Sequence, residues 1–235
     1  MPSLERHEEV FVLDLGSGEN RFNPDWLSSV VSCLDEVEDA AAPRALVTTA
    51  TGKFWSNGLD LAWMSAHADQ IDPFIARVHA LFARVLGSGC PTVAAIQGHA
   101  FAAAAILALA HDQRVMRADR GFFCLPEVDI FIPFTPGMSA LIQARLPVQV
   151  AHEAMTTGRR YGGTDAEGAG IVDFAVERDA VVPRAIELAA ALAVKDPGTL
   201  AIIKQRMYKP VIDVLLDAGA NAMAEPSQRS LERGG

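Results

Sequence analysis

Gly98-His99-Ala100-Phe101-Ala102-Ala103-Ala104-Ala105-Ile106-Leu107-Ala108-Leu109-Ala110-His111-Asp112 is the stretch on which the reading of this chain turns. Its small, uncharged side chains predict a helix that must be buried, because it offers almost nothing to water. The helix follows a glycine turn, so its first backbone N–H groups are left unpaired and point toward one spot. Such an end can hold a developing negative charge. Just before it, Thr92-Val93-Ala94-Ala95-Ile96 reads as a strand. Downstream, Leu125-Pro126-Glu127-Val128-Asp129-Ile130 reads as an extended segment that would set a carboxylate beside that charge.

Working outward, the first half alternates strand-like and helix-like runs. Residues 10–15 form an apolar run that ends at Gly16-Ser17-Gly18. Asn23-Pro24 then supplies an N-cap and a proline suited to a first helical position, and Leu27, Val30, Val31, Leu34 and Val37 recur at helical spacing. Residues 45–50 read as a strand buried on both faces. Residues 72–86 predict a helix, stopped by Gly87-Ser88-Gly89, and residues 114–116 and 122–125 read as shorter extended pieces. Beyond Pro147 the pattern is mostly helical: residues 148–157, 164–168, 183–194, 197–208 and 211–223, with one strand-like run at 171–176 and a polar tail from Pro226 to Gly235. The class expected is α/β, with a core over residues 1–182 and a helical region over residues 183–235.

The 235 residues are half apolar, enough to bury a full core, and carry a formal net charge of −9. That balance argues against a nucleic-acid partner, which would require a basic patch. The three cysteines, Cys33, Cys90 and Cys124, are odd in number and make no C-x-x-C pair, as expected of reduced thiols in a cytoplasmic protein. The N-terminus has no apolar signal core, and the longest apolar run is too short for membrane insertion, which takes about 20 residues. No H-x-x-H, C-x-x-C or H-E-x-x-H spacing occurs, so no metal is expected.

Two motifs together resemble the enoyl-CoA hydratase/isomerase (crotonase) superfamily. Lys53-Phe54-Trp55-Ser56-Asn57-Gly58-Leu59-Asp60-Leu61 is similar to its F-S-x-G-x-D-L loop, and Cys90-Pro91 through Gly98-His99-Ala100 to its P-x-I-A-A-V-x-G strand and turn. Leu125-Pro126-Glu127 and Tyr161-Gly162 through Ile171-Val172 continue the resemblance in order, from about residue 8 to residue 209. In finer detail, Asn20 to Asp25, Phe54 to Trp63, Met116 to Gly121 and Glu127 to Ile130 look closest to plant-type Δ3,Δ2-enoyl-CoA isomerases. The implied fold is a spiral of ββα units with a C-terminal helical region.

The resemblance implies an oxyanion hole made of two backbone N–H groups, Leu59 after the loop glycine and Ala103 in the turn that opens the buried helix. Fixed dipoles aimed where charge develops need no reorganisation during reaction. Many relatives carry glycines where this chain has Ala102-Ala103-Ala104, which implies a narrower or a weaker acyl pocket here. Glu127 matches the family's proton-transferring glutamate, with Asp129, two residues along an extended segment, as a backup on the same side. Hydratases of the family carry a second glutamate where this chain has Ile106, so one carboxylate would move a double bond from C3 to C2 rather than add water. Asp60, His99 and His111 are expected in structural roles.

Coenzyme A enters as part of the substrate, with no separate cofactor. Arg21, Phe54, Ser56 and Gly58 are the residues the resemblance places near it, and Lys204 and Lys209, on the C-terminal helices, could reach phosphates of their own or of a neighbouring subunit. Trp63, Met64 and residues 132–134 are candidate acyl walls. A homotrimer or dimer of trimers is implied, with the C-terminal helices at the site's mouth, as is a role in β-oxidation. Two readings stay open beside isomerisation: another crotonase-type reaction, such as hydration or thioester hydrolysis, and a non-catalytic acyl-CoA-binding relative.

Overall fold

A computed structural model of the chain describes residues 1–222, so Met223 and the tail from Pro226 lie outside the described residues, and the last expected helix, 211–223, already ends at Leu216. Its strands, in chain order, are β1 (Ser3–His7), β2 (Val10–Asp14), β3 (Ala45–Thr49), β4 (Phe54–Ser56), β5 (Thr92–Ile96), β6 (His99–Phe101), β7 (Gln113–Arg117), β8 (Phe123–Cys124), β9 (Arg160–Tyr161) and β10 (Phe174–Val176). The helices are α1 (Pro24–Asp39), α2 (Leu61–Ala66), α3 (Ile71–Leu86), α4 (Ala103–Ala110), α5 (Glu127–Ile130), α6 (Pro136–Arg145), α7 (Val148–Thr157), α8 (Gly163–Gly168), α9 (Val181–Ala193), α10 (Pro197–Met207) and α11 (Lys209–Leu216).

The strands build two sheets, one of six strands in the order β1-β2-β3-β5-β7-β10 and one of four in the order β4-β6-β8-β9. Three successive pairs, β3–β4, β5–β6 and β7–β8, each give their first strand to the large sheet and their second to the small one. The pairings β3·β5, β5·β7, β4·β6 and β6·β8 are all parallel. This is the spiral of repeating units that the resemblance implied. Every residue of β3 and β5 is buried, as a parallel sheet covered on both faces requires. One cover is α9, whose Val181, Ala185, Ala189 and Ala193 recur every fourth residue against Val47, Val93, Ala95 and Val115. The expected boundary at 182/183 falls in the first turn of this helix.

Several elements differ from the sequence reading. His99–Phe101 is a strand rather than helix, and α4 begins only at Ala103, after Ala102 turns the chain with φ 54°. Residues 127–130 form a short helix instead of an extended segment. Ile171 and Val172 are buried but lie outside β10, because Ile171 N–H and Val172 N–H close the end of α8 on Ala166 O at 2.8 and 3.2 Å. Among the elements not anticipated are β1, an antiparallel edge strand, the short β4, α2 and β9, and α6, capped by Thr135 with Pro136 at its start. Where the signal was strong it held. Asn23 caps α1 by accepting from Trp26 N–H at 2.9 Å.

Candidate active site

The spiral brings three separate sequence positions together. β4, β6 and β8 are parallel neighbours, so their carboxyl ends lie side by side, where ligands of open α/β sheets are usually bound. The chain leaves those ends through Gly58-Leu59, Ala102-Ala103 and Pro126-Glu127. Leu59, Ala103 and Glu127 line one cavity of about 270 Å³. Asn57, Phe101, Ile130 and Met138 also line it, and of these Phe101 was hidden from sequence reasoning inside the alanine run.

The first turn is held from both sides. Asn20 Nδ2 donates to Trp55 O at 3.0 Å, and Ser56 Oγ donates to Asn20 O at 2.7 Å while accepting from Gly58 N–H at 3.2 Å. Phe22 N–H donates to Gly58 O at 2.8 Å and Phe22 O accepts from Asp60 N–H at 2.9 Å, so the intervening N–H of Leu59 turns away from Phe22. Asp60 caps α2 through Trp63 N–H at 3.1 Å, the backbone role expected of it. Gly58 has φ +76°, and a Cβ there would lie 2.8 Å from Phe101 O and 3.1 Å from Ala103 N. The Leu59 and Ala103 turns therefore pack directly on each other. Ala103 is the first residue of α4, and its N–H has no acceptor within the helix.

Glu127 opens α5 and is only 7% exposed. Its Oε2 has no hydrogen-bond partner in the structure, and burial pushes the carboxyl up to about 8. No other carboxylate lines the cavity among the described residues. Ile106 is fully buried within the core and does not line it. A second apolar cleft, of about 430 Å³, also reaches Glu127 and is walled by Phe131, Phe134 and Met155.

The other expected contacts divide. Arg21 lines the Glu127 cavity and pairs with Glu19 at 2.7 Å. Ile132 and Pro133 line it too, whereas Trp63 packs on Phe74 and Met64 is buried in the core. Phe54 stands outside the cavity, its ring 5.4 Å from that of His99. Ser56 is fully buried with its hydroxyl engaged in the loop, so it shapes the turn instead of meeting a ligand. Gly58 contributes its conformation.

Lys204 is corrected outright: only 3% exposed, it pairs with Asp112 at 2.8 Å and faces inward. Lys209 pairs with Asp213 and lies in an open groove of about 760 Å³ among α3, α10 and α11, away from Glu127. Asp129 is no backup, because the helical turn sends it toward Gly158, where an added Cβ would stand 2.4 Å from Asp129 Oδ2. His111 is buried between Leu107 O and Thr48 Oγ1, and His99 sits among Phe54, Phe101 and Phe122. Among the described residues no cluster of three or more His, Cys, Asp or Glu could hold a metal, and no helix is long and apolar enough to cross a membrane.

Known proteins resemble this chain in sequence and in fold. The chain is 36% identical over 228 residues to enoyl-CoA delta isomerase 2, peroxisomal, of Arabidopsis thaliana, covering 92% of this chain and 95% of that protein. It is 35% identical over 235 residues to enoyl-CoA delta isomerase 3 of the same plant, covering 95% and 98%. A crystal structure of an enoyl-CoA hydratase/isomerase family protein from Pseudomonas syringae superposes with a TM-score of 0.87 at 25% identity, over 92% of this chain and 94% of that one. The enoyl-CoA hydratase/isomerase family model matches residues 5–224, a span that takes in the Leu59 and Ala103 turns, Glu127 and every strand from β2 onward, and the chain belongs to that family of crotonase-fold enzymes.

Proposed function

We propose that this enzyme is a Δ3,Δ2-enoyl-CoA isomerase that moves its proton with a single carboxylate. The observation that carries the reading is Glu127, buried with its Oε2 unpartnered in the cavity that Leu59 and Ala103 line, with no second carboxylate there among the described residues. A thioester oxygen would accept from the Leu59 and Ala103 N–H groups. The carboxylate of Glu127 would take a proton from C2 of a 3-enoyl-CoA, leaving a dienolate whose negative charge rests on that oxygen. Glu127 would then return a proton to C4, giving the conjugated 2-enoyl-CoA. General acid–base transfer of this kind is worth about 10²–10⁴-fold, and a single oxyanion donor about 10²–10³-fold. Hydration would need a second group to orient water, and Ile106 supplies none.

Arg21, at the cavity rim, is the cation placed to meet a coenzyme A phosphate, with Glu19 yielding it. The reading also takes the chain to be cytoplasmic and a homotrimer or dimer of trimers. Sedimentation velocity and cell fractionation test those two parts. Isomerase 2 of Arabidopsis is named peroxisomal, and a peroxisomal fraction would replace the first of them.

Purified protein incubated with 3-hexenoyl-CoA should yield 2-hexenoyl-CoA, with little hydration of crotonyl-CoA, and the Glu127→Ala variant should not. Hydration or thioester hydrolysis in place of isomerisation would point to another crotonase-type reaction. Binding of acyl-CoA without turnover would point to a non-catalytic relative.

A further inference from the structure

Ala102 is the one alanine of the described residues at positive φ, 54° with ψ −127°. Glycine takes such a backbone without cost and L-alanine does not, and strain of this kind persists where surrounding structure enforces it and function uses it. The enforcement is visible. Ala102 N–H donates to Cys124 O at 3.0 Å on β8, and Ala102 O accepts Ile106 N–H at 3.1 Å in the first turn of α4. The strained residue is half-buried and lines the Glu127 cavity.

The position of its methyl group gives the strain a use. A Cβ built on Gly58 would lie 3.1 Å from Ala102 Cβ, so the methyl fills the slot between the two turns that carry the Leu59 and Ala103 N–H groups. An oxygen held by both N–H groups brings its carbonyl carbon, and the two atoms bonded to that carbon, against this slot. One of those atoms is the thioester sulfur, which is divalent and has no further substituent to vary. The other is C2, whose bulk does vary.

We infer that the methyl group of Ala102 is a specificity gate at C2, admitting acyl-CoA thioesters with an unbranched C2 and refusing those with a 2-methyl group. The inference rests on the acyl-CoA reading above and deepens it by naming the substrate class. It also fits the proposed chemistry, in which the C2–H bond must lie open to Glu127.

The test is calorimetric titration of hexanoyl-CoA and 2-methylhexanoyl-CoA into the full chain and into Ala102→Gly, with melting curves of both proteins. One methyl group against a fitted wall discriminates by about 10–200-fold, so the native chain should favour the linear thioester by that much. In A102G the preference should fall to a few-fold, and the melting temperature should hold or rise. Equal binding of both thioesters by the native chain, or the same preference in both proteins, overturns the gate and leaves the acyl-CoA reading standing. Failure of the native chain to bind hexanoyl-CoA at all overturns both.

Discussion

Replacing Glu127 by glutamine should make the protein more stable, and by an amount that depends on pH. The Glu127 carboxyl is pushed from 4.5 in the free group to about 8 in the fold because burial disfavours its charged form. Between those values the folded chain holds a proton that the unfolded chain has released, so stability falls as pH rises through this window. Each pH unit in the window costs about 1.4 kcal/mol. The native residue therefore costs about 1 kcal/mol at pH 5 and about 3 kcal/mol at pH 7, relative to a neutral group of the same shape. For a chain of this size about 3 kcal/mol corresponds to a melting-temperature gap of roughly 6–12 °C. Thermal and urea melts of both proteins from pH 5 to pH 8 measure the gap directly. The two buried histidines, His79 and His111, titrate in both proteins and cancel in the difference. A gap that is the same at pH 5 and pH 8 would refute the reasoning, because it would mean that Glu127 is solvated or paired as a carboxylate in the fold.

The same burial predicts that isomerase activity rises with pH through about 8, since the carboxylate is the active form, and a kcat/KM profile already flat by pH 6 would contradict it. Lys204→Met should cost about 3 kcal/mol by leaving Asp112 without its buried partner, with KM for the thioester unchanged; chemical denaturation and steady-state kinetics separate the two effects. Lys209→Ala should stay within about 0.5 kcal/mol of the native chain and leave KM alone, because its pair with Asp213 is exposed. Gly58→Ala places a methyl 2.8 Å from Phe101 O at a positive φ, and should cost several kcal/mol or displace the Ala103 turn, seen as a lowered melting temperature together with lost turnover. His79 and His111, held neutral to about pH 4 by burial, should keep neutral-imidazole NMR shifts at pH 5, and the stability they contribute is present above pH 6.5 and lost as pH falls toward 4.

What the sequence made legible were the elements with strong local signals and the residues whose chemistry is carried by position. Asn23-Pro24 marks a helix start whose cap and proline are both satisfied in the structure. Strands β3 and β5 read as continuous apolar runs because both their faces are covered. The failures have physical causes. β4 and β6 are three residues long, too short for any period to show, and β6 hides in an alanine-rich run that continues as helix. α5 spans four residues after a proline, so its alternation looked extended, and Asp129 was misplaced as a result. Lysine at 204 read as a surface cation because spacing cannot reveal Asp112, 92 residues away in sequence and 2.8 Å away in space. The Thr135-Pro136 start of α6 was a legible cap signal that the sequence reading passed over. The convergence of Leu59, Ala103 and Glu127 was available only through the family resemblance, since it depends on β4, β6 and β8 lying side by side.

The central claim, that one buried carboxylate carries the proton between C2 and C4 of an acyl-CoA, is tested most directly with 3-hexenoyl-CoA deuterated at C2. The native chain should produce 2-hexenoyl-CoA with part of the label delivered to C4, and Glu127→Gln, though folded and more stable at neutral pH, should produce none above background. Turnover by that variant at the native rate would contradict the account.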